Sequence, residues 1–430
     1  MTLKNFVSRS LTLLVLLACT RAQAAGFATA ECGARALAMG NAFTAIADSP
    51  SAVYFNPAGL AQMEGLQLEA GVSLVVPNFG YTLTAPGTTT DVNVSGKTQF
   101  FPIPSFYATY RIHDRVAAGI GMNAPFGLGI QWPDTVNVGG KETAWWGRSL
   151  IQEADVKVVT FNPTLAFKLH PRLMIGGGLT IAQSSVYLMR KVTSSSSLAD
   201  DVQVDLSGDD LGFGGTAGIL FSAVPNRLNV GLSYRSGVSI NYEGKAAFTK
   251  NGSAANIPTG LRSRLIDGPV TAHLALPHVI SFGAAAFILP KKLTIGFGVD
   301  VTTWSSYEEL AINFTEHPEL SSAEAKHWRN TVAVRLGGEY RVLPQLPLRL
   351  GLVYDQSPAP KSTVGPELPD ADRYEVALGA GYRVAGLTID LAYLFLLTGD
   401  QKTADTAPLV GTYRATAHVL ALSLGYGFSI

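Results

Sequence analysis

The chain has 430 residues, of which 32 are acidic and 32 are basic, so its formal net charge is zero. This balance excludes a basic nucleic-acid-binding protein, because the affinity of such a protein depends on an excess of Lys and Arg. Charged residues make up only 15% of the chain and apolar residues 47%, which excludes a disordered protein. Beyond the N-terminus no uninterrupted apolar stretch reaches the ~18 residues of a spanning helix, so the composition fits a membrane β-barrel.

Residues 1–24 have the pattern of an export signal. Lys4 and Arg9 precede a short apolar run, and small residues at the end of the segment form a cleavage site. We expect cleavage after Ala24, so that the mature protein begins at Ala25 and reaches the bacterial outer membrane. A weak lipobox-like sequence that ends at Cys19 leaves lipidation as an alternative.

Residues 25–65 do not alternate as a strand would. The stretch from Gly33 to Ala47 combines helical spacing with small side chains, and Asn56-Pro57 is a turn signal. We predict a compact, mainly helical segment. Ahead of a barrel, such a segment is either a periplasmic tail or a plug, and a wide barrel has room for a plug.

From residue 66 to the C-terminus, apolar residues recur with a period of two. In the last segment Leu420, Leu422 and Leu424 fall on one face with Tyr426 and Phe428, opposite small and polar residues. A helix would not keep this period over nine or more positions. The pattern predicts fourteen strands with the approximate bounds 66–77, 102–112, 115–126, 151–169, 172–192, 211–224, 227–248, 268–288, 292–312, 328–341, 348–357, 372–384, 387–398 and 411–430.

An even number of strands, joined alternately by short turns and long polar loops, is typical of single-chain outer-membrane barrels. We therefore predict an all-β membrane protein in which residues 66–430 form a 14-stranded antiparallel transmembrane β-barrel. The alternative is a soluble β-protein such as a sandwich. It would need protected sheet edges, and it would not explain the export signal.

Several motifs follow one another in a fixed order along the mature chain. They are Gly40 to Phe43 (GNAF), Asn56 to Leu60 (NPAGL), Asn123 to Gly129 (NAPFGLG), Leu232 to Ser236 (LSYRS) and Asp300 to Trp304 (DVTTW). In these motifs, and in the stretch 354–374, the chain resembles the FadL/TodX family of outer-membrane transporters for long-chain fatty acids and other hydrophobic compounds. The last residue, Ile430, departs from the Phe with which barrels of this kind usually end.

The resemblance implies that residues 25–65 form a small helical hatch that plugs the barrel lumen. In such transporters a hydrophobic ligand binds outside, moves to a site inside the lumen, and is released when the hatch shifts. The matching gate residues in the hatch are Asn56, Pro57 and Ala58.

The resemblance also implies a sideways exit at an inward kink of the third strand, which corresponds to Asn123 to Gly127. At this kink Pro125 cannot donate a ladder hydrogen bond, and Gly127 has no side chain to fill the wall. Together they would open a window between two strands. The alternative is an ordinary bulge or strand end.

Two arginines are candidates for binding a ligand carboxylate, since the guanidinium group donates two parallel hydrogen bonds. The resemblance places Arg190, at the end of the fifth strand, and Arg329, at the start of the tenth, where the family has basic ligand contacts. The alternative is that both are rim charges. Other inward-phase charges are expected to form an ion-pair network that ties the hatch: Arg335, Glu339, Asp355, Arg373 and Glu375.

Three tryptophans, Trp132, Trp145 and Trp146, lie in the second long loop, with Phe126 nearby. As an exposed aromatic cluster they predict a first docking groove for an acyl chain. The alternative is the aromatic girdle that anchors a barrel at the membrane interface.

No pattern in the sequence indicates an enzyme. The His and Cys residues lack the spacing of metal ligands, and neither a GxSxG motif nor a phosphate-binding loop occurs. We therefore expect no metal, no cofactor and no nucleic acid. We expect a monomeric transporter surrounded by outer-membrane lipid, with a long-chain fatty acid or related hydrophobic compound as ligand. The alternatives are an aromatic hydrocarbon channel of the same family and a general porin or structural barrel.

Overall fold

The computed structural model describes residues 26–29, 31–84, 89–192, 202–250, 265–289 and 292–428. The predicted export signal with Cys19 lies outside the described residues, as do Ala25 and Ile430. Among the residues that are described, no helix is long and apolar enough to cross a membrane. The helices there are α1 (Ala34–Leu37) and α2 (Ala52–Phe55), with 3-10 helices at Pro57–Gln62, Trp146–Ser149, Trp304–Ser306 and Pro318–Leu320.

The strands are numbered in chain order. They are β1 (Leu66–Thr84), β2 (Asp91–Ser95), β3 (Phe101–His113), β4 (Val116–Gln131), β5 (Thr135–Val138), β6 (Lys141–Ala144), β7 (Glu153–His170), β8 (Leu173–Val192), β9 (Val202–Val224), β10 (Leu228–Arg235), β11 (Val238–Lys250), β12 (Gly268–Leu276), β13 (Val279–Leu289), β14 (Leu293–Thr302), β15 (Glu309–Phe314), β16 (Ser322–Ala325), β17 (Thr331–Leu343), β18 (Leu346–Asp355), β19 (Arg373–Val384), β20 (Leu387–Thr398), β21 (Gln401–Lys402) and β22 (Thr412–Phe428).

These strands close into an antiparallel barrel with fourteen wall strands. The first and last strands pair with each other, from Leu66 opposite Phe428 to Thr82 opposite Thr412. Six wall strands are interrupted, so that β2 with β3, β10 with β11, β12 with β13, β14 with β15, β16 with β17, and β20 with β21 each form one strand of the wall. The predicted 14-stranded barrel is confirmed.

The period of two in the sequence sorts side chains between lipid and lumen. On β22, Leu420 and Leu424 are 60% and 48% exposed on the outer face, whereas Val419, Ala421 and Ser423 are buried on the inner face. Apolar outward residues belong against hydrocarbon. The exposed apolar band is therefore the surface that the membrane covers.

Three wall strands are longer than the alternation predicts. β1 continues to Thr84 instead of ending near 77, β4 continues to Gln131 instead of ending near 126, and β9 begins at Val202 instead of near 211. The ladder between β8 and β9 extends to Val192 opposite Val202. The added part of β9 carries polar residues such as Asp205 and Asp209, which fits a strand that continues beyond the hydrocarbon layer. Because its outward-facing residues are polar, this part has the composition of a loop, and the alternation of apolar residues does not predict it as a strand.

Residues 31–63, called the hatch below, fill the lumen at the end of the barrel that carries the short turns. Leu37, Met39 and Phe43 in the hatch have no exposed surface. Of the two locations considered for this segment, the plug is therefore the one observed.

The hatch packs with its backbone, and in places with its side chains, against inward-facing glycines of the wall. A Cβ atom on Gly296, Gly231 or Gly351 would clash with backbone atoms of Ala42, Thr44 or Gly40. Such an approach is possible only where the wall has no side chain. We call this ring of positions the glycine seat; it comprises Gly119 and Gly121 on β4, Gly176 on β8, Gly218 on β9, Gly231 on β10, Gly283 on β13, Gly296 on β14, Gly337 on β17, Gly351 on β18 and Gly379 on β19.

Buried ion pairs also join the hatch to the wall. Arg35 of α1 donates to Glu339 of β17 at 3.0 Å and to Asp48 at 2.6 Å. Arg349 of β18 connects Glu339, at 2.9 Å, with Asp390, at 2.7 Å. Removing one partner of such a buried pair would leave an uncompensated charge, which is strongly destabilising. The hatch is thus fixed both by shape and by charge.

Candidate functional site

Above the hatch, toward the long loops, the lumen holds a cavity of about 990 Å³, part of which is open to solvent. Its lining is mostly aliphatic and aromatic, and we call it the upper cavity. Representative lining residues are Val156, Leu188, Leu206, Val270, Ile312 and Trp328. Ligand sites combine such an apolar lining with a small number of polar groups.

The ammonium group of Lys326 is a charged member of this lining. Its side chain is 2% exposed, and its Nζ atom lies 2.7 Å from Glu367 Oε1 and 2.9 Å from Glu324 Oε1. Burial alone would lower the pKa of Lys326, but Glu367 and Glu324 raise it above its ordinary value. The lining of the apolar cavity therefore contains a buried ammonium group whose charge is balanced by carboxylates, of which Glu367 also lines the cavity.

Arg190 and Arg329 differ in their relation to this cavity. Arg190 shares the inward phase of Val186 and Leu188, which line the cavity, and it lies within electrostatic range of Glu324. Its buried Nε atom has no hydrogen-bond partner among the described residues. Arg329 is exposed and is absent from the cavity lining.

Sequence reasoning did not find Lys326. It lies in a polar connection between two strands, where no alternation separates inward from outward residues. The nearby Arg329 offered the same charge at the start of a predicted strand. Only the folded loop shows which of the two cations turns toward the lumen.

Residues Gly26 to Thr29, called the gate segment below, lie at the bottom of the upper cavity, and Phe27 is part of its lining. The segment pairs with the kinked strand β4. Gly127 donates its N–H to the carbonyl oxygen of Phe27 at 3.0 Å, and Thr29 donates its N–H to that of Pro125 at 2.9 Å. The aromatic ring in the cavity and the strand at the kink are therefore connected through one short segment.

Two charged residues hold the gate segment from the opposite side. Arg373 donates hydrogen bonds to the carbonyl oxygens of Gly26 and, at 3.2 Å, of Ala28. Asp370 accepts the N–H of Gly26 at 3.1 Å. Arg373 thus has a specific role at the gate segment beyond the predicted ion-pair network.

The third wall strand is irregular at the predicted kink. The ladder between β4 and β7 shifts its register between Asn123 and Phe126. The ladder between β3 and β4 ends at Phe106 opposite Met122, although both strands continue above it. The upper parts of these two strands are not paired with each other, which leaves a break in the hydrogen bonding of the wall, called the gap below, across which the ring of Phe101 packs against Gly129.

Prolines make this gap compatible with a membrane. Pro102 and Pro104 of β3 lie opposite Leu74 and Val72 in an unbroken ladder with β1. Since proline has no N–H, it fits such a ladder only where its nitrogen faces away from β1, which is toward the gap. At these two positions the β3 edge of the gap therefore has no N–H donor that hydrocarbon would leave unsatisfied.

The tryptophans predicted to be exposed are mostly buried. Trp132 and Trp145 have no exposed surface, and the ring centroids of Trp145 and Tyr81 are 5.6 Å apart. Trp132 donates its indole N–H to the carbonyl oxygen of Pro366 at 2.8 Å. They form the apolar core of the loops above the barrel, because the loops fold over one another. Trp146 is half-buried at the edge of this core.

Phe126 is also buried, and it packs at the gate segment instead of on the outside. Its ring centroid lies 6.0 Å from that of Phe27 and 6.1 Å from that of Trp304.

The predicted gate residues Asn56, Pro57 and Ala58 are packed between the hatch and the wall. Asn56 accepts the N–H of Ala58 at 3.1 Å and donates to the carbonyl oxygens of Thr44, at 2.8 Å, and of Ile219 in the wall, at 3.1 Å. Pro57 lies against Gly176 of the glycine seat. These contacts lie below the gate segment.

A plugged antiparallel barrel with an apolar outer band and a hydrophobic inner cavity defines the class of outer-membrane transport barrels. The profile of the family described as "Outer membrane protein transport protein (OMPP1/FadL/TodX)" matches residues 15–428. The chain belongs to this family of outer-membrane transport proteins, and the predicted resemblance is confirmed.

Curated relatives match along nearly the whole chain. The "47 kDa outer membrane protein" of Pasteurella multocida (strain Pm70) is 27% identical and covers 95% of both chains. The "Long-chain fatty acid transport protein" of Salmonella typhi is 25% identical and covers 98% of this chain and 99% of its own.

Solved structures show the same fold. A Pseudomonas aeruginosa FadL homologue superposes with a TM-score of 0.80 at 22% identity, over 94% of this chain and 100% of its own. The Pseudomonas putida toluene transporter TodX superposes with a TM-score of 0.70 at 15% identity, over 94% and 100% of the two chains.

Proposed function

We propose that the protein takes up long-chain fatty acids, or related carboxylates with a long apolar chain, across the outer membrane. The observation that carries this proposal is the apolar cavity whose lining includes the buried ammonium group of Lys326, paired with Glu367. The apolar walls fit a hydrocarbon chain, and an ammonium group fits its carboxylate. The curated relative named as a long-chain fatty acid transport protein supports this choice.

A second candidate is uptake of aromatic hydrocarbons. Phe27, Tyr242, Tyr307 and Trp328 line the upper cavity, and neighbours in fold are named as toluene transporters. A neutral hydrocarbon would gain nothing from Lys326, whereas a carboxylate could accept a hydrogen bond from its ammonium group, which has three N–H donors and two glutamate partners. This donor, together with the curated relative named as a fatty acid transport protein, favours the fatty acid.

Ligand release would begin at the gate segment. A chain that fills the upper cavity displaces Phe27, which breaks the hydrogen bonds between the gate segment and β4. The freed part of β4 then opens the gap beside β3, and the ligand leaves sideways into the lipid. The glycine seat holds the rest of the hatch in place, and the ligand gradient supplies the driving force.

One chain encloses the whole of this route, so we propose that it works as a monomer.

A general porin, the remaining alternative, would pass a steady current. Because the hatch fills the lumen against the wall, we expect single barrels in a planar bilayer to show no large steady conductance. Such a conductance would favour the porin.

Binding measurements test the proposed ligand. For the variant Lys326→Met we expect oleate to bind at least about tenfold more weakly, while oleyl alcohol, which has no charge, binds within about twofold of the parent. Arg190→Ala is expected to act in the same direction, since its buried Nε atom has no hydrogen-bond partner among the described residues and is available to a ligand.

The control is Lys361→Met, which removes an exposed lysine from the same region without touching the cavity. Equal loss of oleate and oleyl alcohol binding would contradict a carboxylate site, and tight binding of toluene with no binding of oleate would establish the second candidate.

A further inference from the structure

A second cavity lies below the gate segment and above the hatch. It consists of two adjoining spaces of about 790 and 460 Å³, which share Asn41, Tyr54, Arg235, Val279, Asp300 and Arg335 in their linings. The hatch supplies the Asn41 and Tyr54 side, and the gate segment supplies Ala28 and Thr29. We call the two spaces together the lower chamber. Unlike the upper cavity, it has a mixed polar and charged lining.

Asn41 is buried in this chamber with an unused amide group. The residue is 5% exposed, and neither Nδ2 nor Oδ1 has a hydrogen-bond partner among the described residues. Its φ of 58° would alone explain an Asn, but Gly would serve this backbone without burying an amide. A buried amide without a partner is costly, which points to a ligand that supplies the missing hydrogen bonds.

Arg235 brings a positive charge to the same chamber. It donates from Nη2 to the carbonyl oxygen of Tyr54 at 2.6 Å, and its guanidinium carbon lies 3.8 Å from the centre of the Tyr54 ring. In the described part of the chain, no carboxylate lies within ion-pair distance of Arg235. The neighbouring Arg335, in contrast, pairs with Asp300 at 2.6 Å.

The smaller of the two spaces therefore has an excess of positive charge. Its charged lining residues are Arg235, Arg335 and Asp300, of which the last two neutralise each other. The other acidic side chains of the chamber line only the larger space: Glu31, Asp355 and Glu375. Hydroxyl groups complete the polar lining of the smaller space, on Thr44, Ser233 and Ser281.

We infer that Asn41 and Arg235 form a second anion site, which binds the carboxylate of the transported amphiphile after it has passed the gate segment. This assignment of the ligand rests on the proposed function. The chamber also borders Pro125 and Phe126 at the kink of β4. A carboxylate held at Asn41 and Arg235 leaves the hydrocarbon chain free to enter the gap first, so the chain reaches the lipid before its charged end.

This site also gives a role to two motifs that the upper cavity does not use. Asn41 belongs to the sequence GNAF in the hatch, and Arg235 belongs to LSYRS at the end of β10. Residues 194 positions apart in the chain (41 and 235) thus meet in one chamber.

A transport experiment distinguishes this site from the upper one. In proteoliposomes we expect Arg235→Gln and Asn41→Asp to slow the transfer of oleate by at least about tenfold, because one variant removes the cation and the other adds an anion. Oleyl alcohol transfer, and the equilibrium binding of oleate in the upper cavity, are expected to stay within about twofold. Arg115→Gln is the control, because it removes an exposed charge at a short turn.

Equal slowing of oleate and oleyl alcohol, or no slowing of either, would overturn the second site. Each variant is first tested for the heat-dependent gel mobility of a folded barrel, so that failure to fold is recognised.

A binding experiment separates this inference from the proposed function. In the Lys326→Met background, saturable binding of octanoate is expected to remain, and adding Arg235→Gln is expected to abolish it, whereas adding Arg115→Gln leaves it. Residual binding that survives Arg235→Gln, or no residual binding at all, overturns the second anion site even if oleate is transported. Octanoate binding at Arg235 without any oleate transport would instead uphold the site and reject the proposed function.

Discussion

At the scale of single residues, Asp370 makes the stability of the closed gate segment depend on pH. Its carboxylate accepts the N–H of Gly26 at 3.1 Å and the hydroxyl of Ser357. Burial raises the pKa of Asp370 to about 6, although the nearby Arg373 opposes this effect. A carboxyl group whose pKa is higher in the closed state than in water favours the closed state increasingly as the pH falls. This contribution grows below about pH 6 and is complete near pH 4, where both states are protonated.

We therefore expect the release of a neutral ligand such as oleyl alcohol to slow by about tenfold between pH 7 and pH 5. A neutral ligand is needed because the carboxylate of a fatty acid titrates itself. The variant Asp370→Asn is uncharged at every pH, so its release rate should be slow and should not depend on pH through this group. Faster release on acidification, or the same pH dependence in the variant, would contradict this role.

The site residues also show which functional positions can be predicted from the sequence and which cannot. Arg190 has the inward phase of an alternating strand, so its position was predictable. Lys326 and Asp370 lie in loops, where no periodicity assigns a direction. Asn41 lies in the hatch, and its unsatisfied amide is a property of packing that no sequence pattern reports.

At the scale of elements, the gate segment and β4 form a short two-stranded contact. Ala28 and Phe126 are bridge partners, flanked by the hydrogen bonds from Gly127 to Phe27 and from Thr29 to Pro125. This makes them a non-hydrogen-bonded pair, the arrangement in which facing Cβ atoms of antiparallel strands are closest. The pair is thus a suitable position for a reversible cross-link.

If the gate segment must leave β4 for release, a disulfide in the double variant Ala28→Cys/Phe126→Cys should stop transport under oxidising conditions. A reducing agent should restore it. The single variants are the controls, and they also reveal any effect of the native Cys32. Unchanged transport through the fully cross-linked protein would show that the route does not require this movement.

The glycine seat allows a second test at the level of elements, since two adjacent glycines of β17 differ in their surroundings. A Cβ on Gly337 would overlap the backbone of Met39 in the hatch, whereas one on Gly338 would meet nothing within 4 Å. We expect Gly337→Ala to destabilise the protein by about 1–3 kcal/mol and Gly338→Ala to leave it nearly unchanged. Thermal unfolding in detergent measures the difference. Equal stability of the two variants would argue against a tightly seated hatch.

At the scale of the whole molecule, alternation in the sequence was sufficient to predict the barrel and its fourteen strands, because lipid imposes a period of two on every wall strand. It was insufficient for the upper ends of β1 and β9, where the outer face meets no hydrocarbon. The location of the hatch was also open. The glycines are visible in the sequence, but their alignment at one level of the lumen depends on the stagger of all the strands.

The glycine seat has a consequence for biogenesis. The hatch touches the wall on most sides with no room for side chains, so a finished cylinder could not admit it by threading from either end. We therefore expect the hatch to be in place before the barrel closes, with β1 and β22 pairing last. The N-terminal segment would then serve as a template around which the β-sheet closes.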